Sequence, residues 1–145
     1  MEYKTLKVFL DSNIVFSAAY IKDAKTIASD LFVFQSTKTW KLFISELVEE
    51  EVIKNITIKK PENIEYLNLL FSKIKTLPNY FSKINDKDVK ELPLNDKIIL
   101  STAIYNAMDM FLTGNKRDFL DLYHKKIGNT LILSPSDFIN KSFIL

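Results

Sequence analysis

Short runs of β-branched, aliphatic and aromatic residues punctuate this chain, and segments with helical apolar spacing lie between them. That alternation constrains the fold more than any other feature, because strands alternating with helices imply a mainly parallel sheet covered on both faces. The first run, Thr5-Leu6-Lys7-Val8-Phe9-Leu10, ends at Asp11-Ser12-Asn13, a turn or helix-cap cluster. Trp40 to Ile44 reads as a second strand, Met110-Phe111-Leu112-Thr113 as a third closing at Gly114, and Leu131-Ile132-Leu133 as the last.

The intervening segments read as helices. A helix starts near Ile14, and residues 24–36 hold Ile27, Leu31 and Phe34 at helical spacing. Ser45 caps a helix running to about Ile56. Pro61 suits a first helical turn, followed by Ile64, Leu67, Leu70, Phe71 and Ile74 on one face. Residues 78–92 are the least regular part and read as an exposed loop. Asn95 caps a helix carrying Ile98, Ile99, Thr102 and Ala103, and a Ser-Pro turn precedes a short helix from Ser136. With 145 residues, 47% of them hydrophobic, the chain suits one α/β domain spanning 1–145 with a proper core.

Composition excludes several chemistries. Cysteine is absent, which removes disulfides, zinc–thiolate sites and thiol nucleophiles. No apolar run is long enough to span a bilayer, and the start of the chain lacks a signal-peptide pattern, so a cytoplasmic protein without membrane association is expected. A formal charge of +2 gives no global polycation, and Arg117 is the only arginine, so bidentate clamps on phosphate are almost lacking. The eleven Phe and six Tyr fall mostly at apolar-face spacing, which makes the core their default place rather than base stacking. His124, the lone histidine, has no motif around it and reads as a surface or satisfied residue.

The acids are more informative. In parallel α/β sheets ligands gather at the carboxyl ends of the strands. Asp11 directly follows the first strand, and Asp118 follows the Met110–Thr113 strand by a few residues. Each has a plain structural role as well: Asp11 as a helix N-cap, and Asn115 with Asp118 as a loose capping box. Among Glu46, Glu49, Glu50 and Glu51, periodicity discriminates. At about 100° per residue from Leu47, Val48 falls at about 100° and Val52 at about 140°. Glu51 falls at about 40°, inside that apolar arc, whereas Glu50 falls at about 300°, outside it. A carboxylate among buried neighbours needs a partner or a metal. Asp96 opens its helix, where the dipole alone would favour an acid.

Taken in order, these segments resemble the PIN-domain family, whose best-known bacterial members are the VapC-like toxins of toxin–antitoxin pairs. Val8-Phe9-Leu10-Asp11-Ser12-Asn13-Ile14-Val15 is similar to the family's opening strand and Asp-x-Asn. Ile44-Ser45-Glu46 through Glu50-Glu51-Val52 resembles its second motif, and Asn95-Asp96-Lys97-Ile98-Ile99-Leu100-Ser101-Thr102-Ala103 its third. Leu112-Thr113-Gly114-Asn115-Lys116-Arg117-Asp118-Phe119 resembles the fourth, and Ile132-Leu133-Ser134-Pro135-Ser136-Asp137-Phe138 the final strand and turn. Single motifs are weak, and all of them in sequence are specific. One departure is Asn115, where many members carry Asp.

The resemblance implies a divalent-metal-dependent endoribonuclease. Asp11, Glu51 and Asp96 would hold Mg²⁺ or Mn²⁺, both hard cations that choose oxygen ligands, and Asp118 would hold a second ion or orient water. Ser12, Asn13, Thr113 and Asn115 fit supporting or phosphate-contact roles, and Lys97, Lys116 and Arg117 lie near the motifs as phosphate neutralisers. RNA is the implied substrate and a cognate antitoxin the implied partner, with a homodimer a compatible assembly. The alternative is a PIN-like domain that has lost catalysis and binds protein or RNA. A phosphotransfer domain fits less well, because a nucleophilic-aspartate phosphatase usually needs Asp-x-Asp after the first strand, and a phosphoacceptor domain wants an acidic pair where only Glu2 precedes Asp11.

Overall fold

The computed structural model describes residues 5–22, 26–35 and 40–144. Strands β1 (Leu6–Leu10), β2 (Trp40–Ser45), β3 (Lys75–Leu77), β4 (Met110–Leu112), β5 (Lys126–Ile127) and β6 (Thr130–Leu133) form one sheet in the order β3-β2-β1-β4-β6-β5. The first five in that order run parallel, and β5 folds back on β6 as an antiparallel edge. Successive residues of a strand point to opposite faces, and Val8, Phe9 and Leu10 are all fully buried, so helices cover both sides of β1. Each such aliphatic or aromatic side chain contributes ~1.5–3 kcal/mol by leaving water.

Helices α1 (Ser12–Tyr20), α2 (Ile27–Gln35), α3 (Glu46–Lys59), α4 (Ile64–Phe71), α5 (Lys87–Lys90), α6 (Leu94–Tyr105), α7 (Lys116–Phe119) and α8 (Pro135–Ile144) fill the connections. Helix α1 packs on α2 and α3, α2 on α8, and α3 on α4 and α6. The core is stitched by aromatic contacts. Phe111 stacks between Phe9 at 5.6 Å and Phe119 at 5.5 Å, and Trp40 meets Phe138 edge-on at 5.0 Å. Among the described residues no helix is long and apolar enough to cross a membrane.

Several sequence expectations need correction. The helix predicted over 24–36 is α2, and the predicted ends at 24, 25 and 36 lie outside the described residues; Ile27 is exposed rather than on its buried face. Asn95 does not cap α6. Pro93 does, in an extended conformation with its carbonyl accepting from Lys97 N at 3.0 Å, and Asn95 sits exposed in the first turn. The region 78–92 is not simply loop. Asp86 caps the short α5, Lys125 binds Asp86 at 2.6 Å and Asp88 at 3.3 Å, and Val89 and Leu92 are buried beneath it. Strands β3 and β5 were not anticipated. Ser45 caps α3 as expected, accepting from Val48 N at 3.2 Å.

The chain leaves β1 for β2 and β3, then returns to the other side of β1 as β4. Strand order therefore reverses between β1 and β4, which is where an open α/β sheet forms its crevice.

Candidate active site

Asp11 stands at that reversal. Its backbone N–H continues the sheet by donating to Leu112 O at 2.9 Å, and its side chain caps α1. Oδ1 accepts from Ser12 N at 2.8 Å; Oδ2 accepts from Thr113 Oγ1 at 2.8 Å and Asn13 Nδ2 at 3.0 Å. These donors favour the charged form, yet Asp11 is only 2% exposed, and burial pushes its pKa above the ordinary carboxylate value, helped by the nearby charge of Asp118.

Thr113, fully buried at the end of β4, is the junction of the network. Besides donating to Asp11, its hydroxyl accepts from Asn115 N at 3.1 Å and from Asn13 Nδ2 at 3.3 Å. Asn13 Oδ1 in turn accepts from Gly114 N at 2.8 Å. A Cβ on residue 114 would come within 3.1 Å of that oxygen, so glycine lets the chain approach this closely.

Glu51 projects from α3 beside Val48 and Val52, as its helical phase requires. Ser12 Oγ lies 3.5 Å from Glu51 Oε2, while Glu51 Oε1 is buried without a hydrogen-bond partner. Burial, then the charge of Asp11, raise its pKa. The other acids of α3 are placed elsewhere. Glu49 accepts from Thr76 Oγ1 at 3.1 Å, Glu46 accepts from Asn79 N at 3.1 Å, and Glu50 is exposed. Asp96, in the first turn of α6, is pushed up to about 7 by burial and then by the charges of Asp11, Asp118 and Glu51, opposed by Arg117. Asp118 behaves oppositely. Asn115 Nδ2 donates to its Oδ2 at 2.9 Å and Arg117 pairs with it at 3.5 Å, which hold its pKa below the ordinary value. Asn115 Oδ1 also accepts from Asp118 N at 3.3 Å, so the capping pair expected from sequence is present.

All four acids, with Ser12, Asn13 and Asn115, line one open cleft of about 520 Å³. Thr113 is buried behind it. Of the three predicted phosphate neutralisers only Arg117 reaches the cleft. Lys97 lines a separate hollow beside Phe81 and Ile84, and Lys116 another beside Gly114 and Tyr123. His124 is a surface residue whose Nε2 lies 3.1 Å from Asp137 Oδ2.

No family model matches this chain, and no curated protein does. Solved structures do. A chain of the VapBC2 complex of Rickettsia felis, determined bound to a DNA fragment from their promoter, aligns with a TM-score of 0.62 at 18% identity, covering 89% of this chain and 98% of its own. A chain of a toxin–antitoxin complex from Klebsiella pneumoniae aligns at 0.55 and 21% identity, covering 88% and 97%. The fold is PIN-like. Identity this low fixes architecture, and the chemistry must be argued from the residues themselves.

Within the cleft, sequence reasoning missed Phe16, Asn55, Lys59 and Pro93 as lining residues, and outside it Tyr123, whose hydroxyl supports the site by donating to Thr113 O at 2.8 Å. A signal existed for two of them. Asn55 and Lys59 follow Glu51 by four and eight residues, so they share its stripe on α3.

The donor set suits a hard cation. It offers oxygen ligands alone, one of them buried and unpartnered, and carboxylates whose mutual repulsion a cation would relieve. Among the described residues, however, no three carboxylates or histidines are already drawn together as a metal-binding group. An ion here would be held by one or two carboxylates and completed by water, the usual habit of Mg²⁺.

Proposed function

We propose that this PIN-like domain is a divalent-metal-dependent endoribonuclease and the toxin of a toxin–antitoxin pair. The observation that carries the reading is the gathering of Asp11, Glu51, Asp96 and Asp118 on one cleft, with a buried Glu51 oxygen left without a partner. The similarity in fold to chains of two toxin–antitoxin complexes supports the second half.

In this reading Asp11, Glu51 and Asp96 would hold Mg²⁺ or Mn²⁺, one or two of them directly and the rest through its water, and Asp118 would assist. When bound, the ion supplies charge neutralisation at phosphate and lowers the pKa of water. The chain's own contribution is preorganisation. Thr113, Asn13 and the Ser12 N–H fix both oxygens of Asp11, and Asn115 fixes Asp118. Asp96, with its pKa raised to about 7, holds a proton part of the time near neutrality, and an ion bound there would have to displace it and would be held more tightly as pH rises. Arg117, on the rim, neutralises a substrate phosphate. An antitoxin would cover the cleft and place a basic side chain among the carboxylates.

Purified protein with Mg²⁺ or Mn²⁺ should cleave RNA, and expression without a partner should slow growth of a related host. Asp11→Asn should remove both effects. Equal growth inhibition by wild type and Asp11→Asn would transfer the toxicity to a non-catalytic role. One observation favours that second reading: Asn115 replaces a carboxylate and has both side-chain polar atoms engaged with Asp118. A Mn²⁺ titration separates the two, since a scaffold without catalysis need not bind the ion.

A further inference from the structure

Beside the acidic cleft, aromatic rings and lysines alternate. Phe16 and Tyr20 are four residues apart on α1, so they share one side of the helix, about 6 Å apart along its axis. Their rings meet at 5.4 Å between centroids with planes tilted by 34°. Lys59 Nζ lies 5.4 Å from the Phe16 centroid, and Lys60 Nζ lies 5.2 Å from that of Tyr20. Phe16 and Lys59 line the carboxylate cleft, whereas Tyr20 and Lys60 line an adjoining hollow with Lys22. The Phe16–Tyr20 pair therefore bridges the two. Its outer end is pinned, because the buried Asn63 donates through Nδ2 to Ala19 O at 2.9 Å and Tyr20 O at 3.2 Å.

A polyanion has an electrostatic difficulty at this site. Four carboxylates repel it, and the chain carries little net positive charge to draw it in. Attraction must come from cations placed next to the cleft, and Lys59, Lys60 and Lys22 are so placed. We propose that the Phe16–Tyr20 pair, flanked by Lys59 and Lys60, is a binding track for single-stranded RNA that leads into the carboxylate cleft. Its role in delivering substrate rests on the nuclease reading, although its binding of RNA does not.

The chemistry fits an unpaired strand. The exposed Tyr20 ring and the open part of the half-buried Phe16 ring can accept the faces of splayed bases, which a duplex keeps stacked, and lysines beside the rings meet the backbone. In the free protein each ammonium covers a ring. A base stacked on an exposed ring is the stronger contact, so RNA displaces the lysine from the ring face toward phosphate. The pair between Lys60 and Glu62, 3.8 Å apart at the surface, is weak enough to yield.

The test is fluorescence anisotropy of a labelled, unstructured RNA of about 12 nucleotides with the full chain in EDTA, where cleavage is suppressed. Tyr20→Leu should weaken binding by about fivefold or more, and Phe16→Leu should do likewise while keeping apolar volume. In the Lys59→Gln/Lys60→Gln double variant the slope of log affinity against log salt should flatten by about 1.4, for two lost phosphate contacts. Thermal melts establish that each variant is folded. Unchanged affinity and slope in all folded variants overturn the track, even if the wild type cleaves RNA. Equal affinity for a duplex of the same sequence overturns it as well. Binding lost in the variants, with no cleavage by the wild type in Mg²⁺ or Mn²⁺, supports the track and overturns the nuclease reading instead.

Discussion

Asp96→Asn should stabilise the metal-free protein while disabling its chemistry. The folded chain pushes Asp96 from an ordinary value of 3.8 to about 7, through burial and three neighbouring carboxylates. A shift of about three pH units corresponds to a ceiling of ~4 kcal/mol. Asp96 is only part-buried, so solvent screening takes half or more of that and leaves roughly 1–2 kcal/mol. Asparagine keeps the shape and removes the charge. Between pH 3.8 and about 7 the folded state retains a proton that the unfolded chain has released. Wild-type stability from this group is therefore complete below the ordinary value and is lost as pH rises through about 7. Asparagine does not titrate. The advantage of the variant should be absent at about pH 4, open through neutrality and level off above it. Asp86, whose pKa Lys125 lowers, contributes the opposite trend at acid pH, but it does so in both proteins and cancels in the difference.

Urea unfolding in EDTA across that range measures the gap, expected near pH 8 as roughly 2–8 °C if followed by Tm. No gap at alkaline pH, or one that widens toward acid, refutes the reasoning. Adding Mn²⁺ reverses the ranking if Asp96 is a ligand: wild type gains about 2.7 kcal/mol at a hundredfold excess over Kd, and the variant gains far less. Equal gains would remove Asp96 from the ligand set.

Two further pairs of substitutions probe the site and its support. Glu51→Gln should abolish RNA cleavage and Glu50→Gln should leave it nearly intact, because Glu51 lines the cleft and Glu50 is exposed; a reversed result in a timed gel assay would mean that the wrong glutamate has been assigned. Thr113→Val should destabilise by ~1–3 kcal/mol in urea melts and raise the Asp11 pKa further, since the buried hydroxyl donates to Asp11 and accepts from Asn115 N. Thr113→Ser, which keeps the hydroxyl, should lose much less; a serine as damaging as valine would assign the effect to packing of the methyl group.

The legible parts of the fold were those where local signals and burial agree. Val8-Phe9-Leu10 is continuous apolar sequence because it lies mid-sheet with both faces covered, and Ser45 announces its helix by a hydroxyl that caps it. The illegible parts depend on partners distant in sequence. Lys75–Leu77 is a strand only because Phe43, Ile44 and Ser45 pair with it, and Lys126–Ile127 only because it folds back on β6. The turn at Lys87–Lys90 is held by Lys125, which no local pattern could name. Pro93 displaced Asn95 as the cap of α6 because a residue in extended conformation immediately before the helix suffices when its carbonyl accepts the first helical bond.

The site was legible for a different reason. Parallel strands deliver whatever follows their carboxyl ends to one edge, so Asp11 and Thr113–Asp118 had to meet there once β1 and β4 were neighbours. Glu51 was legible from its phase on α3, since a charge in an apolar arc has no other explanation as economical as a shared site. What sequence could not rank was the cations. Lys97 and Lys116 sit next to motif residues in the chain and face other hollows, whereas Lys59, eight residues beyond Glu51, shares the cleft. Proximity in sequence is a poor guide for a side chain on a helix, where neighbours diverge by about 100° and residues four apart converge. Phe16 and Tyr20 illustrate the same rule from α1. Their spacing reads as a buried stripe, yet Tyr20 is 38% exposed, and the two rings lie under lysines contributed by another helix end. Half-covered by cations and beside the carboxylates, this pair contrasts with the fully buried core rings and fits the path proposed for a polyanion. That contrast was visible only once α1 and the end of α3 were brought side by side.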